Sequence, residues 1–264
     1  STTASFVIAG AGGSVAKHGN RSVSGISGSA DIFEYFGFDL NSEPWIVEEM
    51  IEKIGIGFMF APTFHPAMKN VAPARKLIGK RTAFNLLGPL CNPAKVRHQM
   101  IGVFADKYIE RIVRIMQKNF SDTVLAVRSD DGMDELSTTS KNKACLLKNE
   151  EITEFIIDPS KYNMEKGNLS NIQISTKQEA IDAFAKVLNN TSNKTMKEIT
   201  ILNAAGGLLV GGICDRFDEG VELALETINN GNAFKKLKQF AKENNALDKL
   251  EEFEWYGKYF RKTC

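Results

Sequence analysis

The chain has 264 residues, 43% apolar and 25% charged, enough to bury a sizeable core and close to the globular average, which excludes disordered and fibrous classes. Its 33 Lys and Arg nearly balance 32 Asp and Glu, and the net charge of +1 gives no support to a nucleic-acid or membrane-surface partner. No apolar run is long enough to span a bilayer, and Cys91, Cys145, Cys214 and Cys264 form no CxxC pair and no set with a nearby His, so free thiols in a reducing cytoplasm are expected.

The chain opens without Met in STTASFVIAGAGG, which predicts a buried helix over 3–12 capped by Ser or Thr. No basic region precedes the apolar stretch, unlike a signal peptide, and a domain that begins on a core helix is expected to have had a segment upstream. Residues 14–17 form a predicted strand that runs into a glycine-containing loop. A helix follows over 29–37, with Asp31 in its first turn and Gly37 at its end. Another is predicted over 42–55, with Ser42 as cap, Pro44 in the first turn, and Trp45, Ile46, Met50, Ile51 and Ile54 on one face. Residues 64–79 are a further helical candidate, bent near Pro73, and these two helices are expected to pack apart from the sheet. FNLLGPLCNPA, 84–94, reads as a rigid turn packed under the site.

From 99 onward the pattern alternates. Residues 99–104 read as strand, 108–120 as amphipathic helix and 122–129 as a strand of β-branched and apolar residues, a βαβ unit and hence parallel sheet. The polar segment SDDGMDELSTT follows at the carboxyl edge, where open α/β sheets place their ligands. Residues 143–149 and 151–158 look like antiparallel additions. Helices are predicted over 178–190, 199–213, 217–230 and 233–245. Ala204, Ala205, Gly206, Gly207, Gly211 and Gly212 in the second of these imply very close packing.

The loop KHGNRSVSGISGSAD carries the strongest chemical signal. Lys17 and Arg21 supply positive charge, Gly19, Gly25 and Gly28 let backbone N–H groups approach an anion, and Ser22, Ser24, Ser27 and Ser29 add hydroxyl donors. Ser29 also precedes a helix, whose N-terminus favours negative charge. A flexible polar surface loop would have a similar composition, but two cations between a strand and a helix favour phosphate. Asp134 and Glu135 are adjacent hard oxygen ligands suited to Mg²⁺ when a substrate phosphate completes the shell, with Asp130 and Asp131 beside them. A solvated acidic turn is the bland alternative. Arg75 offers a bidentate fork for a carboxylate, or an ordinary surface ion pair, and His18 and His65 read equally as polar contacts or structural residues. No Ser–His–Asp or Cys–His arrangement, GxGxxG or GxxxxGK[ST] occurs, which leaves covalent catalysis, dinucleotide binding and P-loop hydrolysis without positive support.

KHGNRSVS with SGSAD, then FMFAPTFHPAMKNVAPARKLIGKRTAFNLLGPLCNPA, GMDELS and LNAAGGLLVGG, in that order, closely resemble the anthranilate phosphoribosyltransferase family. The resemblance implies an α/β fold: a large domain of 1–40 and 80–264 with a mainly parallel central sheet flanked by helices, and 41–79 as helices of a small helical domain. It implies transfer of the phosphoribosyl group of phosphoribosyl pyrophosphate (PRPP) to anthranilate in tryptophan biosynthesis, with inversion at the anomeric carbon and release of pyrophosphate. PRPP would be held by Ser1, Thr2, Lys17, His18, Gly19, Asn20, Arg21, Ser22, Val23, Ser24, Gly25 and Ser29. Asn20 and Arg75 would meet anthranilate, with His18 and His65 on its route. Ser1, Asp134 and Glu135 would bind Mg²⁺, two ions, one arriving with PRPP. A cytoplasmic homodimer is implied, with no nucleic-acid or membrane partner.

No single acid or base is expected, because a neutral aromatic amine needs no strong base and the barrier lies in pyrophosphate departure, which charge stabilisation by Lys17, Asp134 and Glu135 would lower. The family's N-terminal helices and its Gly-Thr-Gly-Gly-Asp-Gly loop are absent from this sequence, so residues 1–264 alone are expected to show little transferase activity. Phe64 stands where many relatives differ, beside His65. A pyrimidine nucleoside phosphorylase-like enzyme and a nucleic-acid-binding paralogue share the fold; the HPAMKNVAPARK and NLLGPLCNP blocks argue against the first, and near-neutral charge with intact Asp134 and Glu135 against the second.

Overall fold

The computed structural model describes residues 1–22, 26–71, 77, 84–251 and 253. Helix α1 (Thr2–Gly10) runs through the centre of the core, burying Ala4, Ser5, Phe6, Val7 and Ala9. It carries no charged side chain, as suits a helix with no fully exposed residue. Phe6 meets Phe33, Phe184 and Phe240 at ring-centroid distances of 5.8, 5.2 and 5.7 Å, and Phe33 stacks on Phe58 at 4.3 Å. These aromatics tie the first helix to elements that follow much later in the chain.

Strand β1 (Val15–Gly19) leads to α2 (Ser29–Tyr35), α3 (Pro44–Ile54) and β2 (Ile56–Phe60), and β2 pairs parallel with β1, Lys17 opposite Phe58. Ser42 is not the cap of α3. Its hydroxyl donates to the carbonyl of Asp39 at 2.6 Å and Glu43 takes the cap position. Trp45 is 63% exposed, whereas Val47, Met50 and Ile54 are buried. Val47, Met50, Ile51 and Ile54 follow the i, i+3, i+4, i+7 spacing of one face, and Trp45 lies on the opposite side. Gly55, at φ 81°, ends the helix in the left-handed region.

The stretch 41–79, expected as helices alone, thus contains a strand hydrogen-bonded to β1, and α3 buries its apolar face in the same core as α1. After β2 come one helical turn, α4 (Ala61–Phe64), and a 3₁₀ segment, Pro66–Asn70, in place of the start of the continuous helix predicted over 64–79. Pro73 and Arg75 lie outside the described residues. Phe84–Leu90, expected as part of a turn, is helix α5, with Pro89 inside it, where the missing N–H removes one backbone hydrogen bond. The segment does brace β1, since Asn92 Nδ2 donates to the carbonyl of Ala16 at 3.1 Å.

The second sheet runs β3 (His98–Gly102), β4 (Thr123–Ser129), β5 (Asn142–Lys148), β6 (Glu151–Ile157) in spatial order. β3 and β4 are parallel and joined through α6 (Ile109–Lys118); β5 and β6 are the antiparallel additions anticipated above. The chain has the expected α/β architecture, and among the described residues its parallel pairings are β1–β2 and β3–β4, the latter extended by the antiparallel β5 and β6. α6 covers one face of the mixed sheet with Ile112, Val113 and Met116. Helices α7 (Lys177–Leu188), α8 (Lys194–Val210), α9 (Phe217–Asn229) and α10 (Asn232–Glu243) complete the main core with α1. No helix among the described residues is long and apolar enough to cross a membrane.

Candidate active site

The site assembles where β1 ends and two helices begin. Gly19 closes β1 under a steric constraint: a Cβ there would stand 2.9 Å from the Phe58 ring and 3.2 Å from Cβ of Ser29. Gly28 is equally constrained, since its Cβ would meet the backbone N of Ser22 at 2.5 Å and the carbonyl oxygen of Asn20 at 2.7 Å. The ends of the loop are thus pressed together, and the Ala30 N–H donates to the Asn20 carbonyl at 3.3 Å. Val23, Ser24 and Gly25 lie outside the described residues.

The N-terminus of α1 meets that of α2. Thr2 Oγ1 donates to Ser29 Oγ at 3.0 Å, Lys17 Nζ lies 3.4 Å from Ser1 Oγ, and the nitrogen of Ser1 lies 2.8 and 2.9 Å from the two carboxylate oxygens of Glu135. Five residues predicted from sequence, Ser1, Thr2, Lys17, Ser29 and Glu135, are therefore neighbours. Two helix N-termini, the Lys17 ammonium and the N-terminal ammonium of Ser1 converge there, a setting that favours an anion. Burial pushes the Lys17 ammonium below its ordinary lysine range, and the Glu135 carboxylate offsets part of that.

Arg21 is engaged by acidic side chains of α2. Its guanidinium grips Glu34 through two bonds of 2.7 and 2.6 Å and reaches Asp31 at 3.2 Å. Asp31, buried, also accepts from Lys177 Nζ at 2.8 Å and from the Gly28 N–H at 2.8 Å. Burial alone would raise the Asp31 carboxyl; Lys177, the Gly28 N–H and Arg21 outweigh it and hold the group below its usual range. The cation of Arg21 thus ties the loop to α2. The partners Glu34 and Lys177 went unnoticed in the sequence, where 13 and 156 residues separate them from Arg21. Asn20 is exposed at the loop's mouth, its Oδ1 accepting from the Arg21 N–H at 2.7 Å, and Ser22 is half-buried.

His18 and His65 stand edge to face with ring centroids 5.0 Å apart, and the Nε2 atom of each is buried without a hydrogen-bond partner among the described residues. Burial pushes His18 below its ordinary value, as do His65 and Lys17, against a backbone hydrogen bond with Gly88. Both imidazoles thus offer polar atoms that the protein leaves unmatched.

The acidic turn separates its four carboxylates by role. Asp131 is structural: it accepts from Thr139 Oγ1 and from the Met133 N–H at 2.9 Å. Asp130 is exposed, 3.8 Å from Lys143 Nζ. Asp134 is exposed and makes no hydrogen bond or ion pair with the described residues, while Glu135 turns towards Ser1. No group of three or more His, Cys, Asp or Glu among the described residues could hold a metal alone. Two adjacent oxygen donors beside an anion site fit Mg²⁺, which keeps several waters and shares its shell with substrate phosphates. A separate cavity of about 600 Å³, lined by Leu90, Asn92, Arg97 and Phe120 among others, contains none of the predicted site residues.

A model of the glycosyl transferase family a/b domain matches residues 1–234. The anthranilate phosphoribosyltransferase of Nitrosopumilus maritimus is 57% identical over 252 residues, covering 96% of this chain and 72% of that protein. That of Hydrogenovibrio crunogenus is 40% identical over 247 residues, covering 94% and 72%. Among solved structures, anthranilate phosphoribosyltransferase from Thermus thermophilus superposes with a TM-score of 0.85 at 33% identity, over 93% of this chain and 73% of its own. The Saccharomyces cerevisiae enzyme in complex with PRPP and Mg gives 0.81 at 25% identity, over 94% and 69%. With the family model spanning most of the chain and relatives well above 30% identity over more than nine-tenths of it, the chain belongs to the anthranilate phosphoribosyltransferase family of glycosyl transferases.

Proposed function

We propose that the protein transfers the 5-phosphoribosyl group of PRPP to the amine of anthranilate, giving N-(5-phosphoribosyl)-anthranilate and pyrophosphate, in tryptophan biosynthesis. The observation that carries this reading is the meeting of the α1 and α2 N-termini with Lys17 and Glu135, the residue that follows Asp134. Ser1, Thr2, Lys17, Ser29 and the backbone of Gly19, Asn20 and Ser22 would hold the phosphates, joined by Val23, Ser24 and Gly25. Arg21 would act on PRPP by holding the loop shut. Asn20 and Arg75 would position anthranilate, with the His18 and His65 imidazoles edge to face along its approach.

In the transfer, the bond from the anomeric carbon to the pyrophosphate oxygen breaks, the amine nitrogen bonds that carbon with inversion, and the nitrogen then sheds a proton. Lys17 and the two helix ends stabilise the charge that grows on the departing oxygen, interactions that strengthen as the bond breaks. Mg²⁺, held by Asp134 and Glu135 with Ser1 alongside, would neutralise pyrophosphate, and two adjacent carboxylates have room for a second ion entering with PRPP. A cytoplasmic homodimer belongs to the same proposal and rests on the resemblance.

Incubating the full chain, including any residues that precede Ser1, with PRPP, anthranilate and Mg²⁺ tests the reading. The expected result is loss of anthranilate fluorescence with stoichiometric pyrophosphate. Turnover of thymidine with phosphate in place of these substrates, or a DNA gel shift without any PRPP-dependent product, would assign the fold to its other uses.

A further inference from the structure

We infer that Asn203 and Gly102, neither of which reaches a substrate or a carboxylate, are positioning residues that set the Asp134–Glu135 turn for metal binding; this rests on the Mg²⁺ reading above. Asn203 lies on α8, 5% exposed, 67 residues from Leu136, which directly follows Glu135. Its Oδ1 accepts from the Leu136 N–H at 3.0 Å, and its Nδ2 donates to the Leu136 carbonyl at 2.8 Å and to the Ile199 carbonyl at 2.8 Å. A side-chain amide that pairs with both backbone groups of one residue does the work of a neighbouring strand: it fixes the height and the rotation of that peptide. Leu136 is itself fully buried, which pins the same residue from its apolar side.

Gly102, the last residue of β3, holds the turn from the other end. A Cβ at Gly102 would lie 1.6 Å from the carbonyl oxygen of Asp134 and 2.7 Å from its carbonyl carbon. The backbone of Asp134 therefore rests directly on the Cα of Gly102, a position no side-chain-bearing residue could share. Asp134 and Glu135 are gripped between a glycine seat on one sheet strand and an amide clamp on a core helix. Such support matters most for Mg²⁺, whose near-octahedral shell at about 2.0–2.1 Å tolerates little displacement of its ligands.

The test compares Gly102→Ala, Asn203→Asp and the parent. Asn203→Asp keeps the acceptor for the Leu136 N–H and replaces the donor that faces two carbonyls. Gly102 is exposed, so in Gly102→Ala the turn can swing outward into solvent while the core stays intact. Free Mn²⁺ is followed by electron paramagnetic resonance with PRPP present, and PRPP binding without metal is measured separately by calorimetry. The expected result is about tenfold or greater weakening of Mn²⁺ binding in both variants, as for lost supporting contacts of other metal sites, with metal-free PRPP binding changed by less than about twofold. Mg²⁺ half-saturation of transfer should rise in parallel. If Asn203→Asp does not fold, Gly102→Ala decides alone. Mn²⁺ affinity within about twofold of the parent in the folded variants overturns the inference. A parent that binds no Mn²⁺ with PRPP overturns the metal reading itself, and this inference with it.

Discussion

Lys17 must stay charged in a place that opposes charge. Burial lowers its proton affinity, and Glu135 restores only part of it. A lysine whose folded value lies below its unfolded one costs the fold stability while it is charged in both states, and that cost fades as pH rises through the folded value. The functional consequence has the opposite sign: anion binding needs the proton that the site tends to shed. For the free enzyme, kcat/KM for PRPP should therefore fall on an alkaline limb that begins below the ordinary lysine value of about 10.4. Lys17→Arg, which keeps its charge throughout, should lower the plateau and move the limb upward. An unmoved limb in that variant would detach it from Lys17. Lys17 stood out as a candidate in the sequence because it is a cation on a strand that runs straight into a loop rich in glycine and serine. The ion pairs of Arg21 were not legible, since composition shows a cation without showing that Glu34 and Asp31 lie against it.

Among whole elements, the small residues of α8 announced close packing, and the structure shows which contacts leave no room. A Cβ on Gly220 of α9 would meet the Ala205 carbonyl oxygen at 2.9 Å and its Cα at 3.1 Å, backbone atoms that cannot turn aside. A Cβ on Gly207 would instead meet the end of the Ile8 side chain, which can change rotamer. Gly→Ala within a helix otherwise gains roughly 1 kcal/mol in propensity. Gly207→Ala should thus be close to neutral, whereas Gly220→Ala should be destabilised by about 1–3 kcal/mol, as in other overpacked cores. Urea unfolding of the two variants checks the ranking, and equal midpoints would contradict it. Strands β4, β5 and β6 were readable from β-branched and apolar runs, and α6 from its amphipathic period. Strand β2 was not, because IGFMF is buried almost throughout and carries no alternation, and it directly follows the glycine that ends α3. Helix α5 was hidden by a glycine and two prolines that signal turns wherever the surrounding packing is unknown.

At the scale of the molecule, the arrangement requires its two ligands to bind together. The acidic turn offers two adjacent carboxylates and no third metal-binding side chain among the described residues. The helix N-termini and Lys17 supply positive potential suited to phosphate, but a fully ionised pyrophosphate brings more negative charge than one lysine and two partial helix charges can balance. Each ligand therefore completes the other's site, PRPP by adding oxygen donors to the metal and Mg²⁺ by neutralising the phosphates beside Asp134 and Glu135. Binding to the folded state raises stability by about 2.7 kcal/mol at a hundredfold excess over Kd. For a chain of this size that corresponds to roughly 5–10 °C in Tm. Thermal unfolding with Mg²⁺ alone and with PRPP alone should show much smaller shifts than the two combined. Mg²⁺ alone giving the full shift would mean a metal site complete without substrate, which the two-carboxylate turn does not provide. Additive shifts would mean that anion and metal bind apart, and the meeting of Lys17, Ser1 and Glu135 would then need a purpose other than holding a metal-bound pyrophosphate.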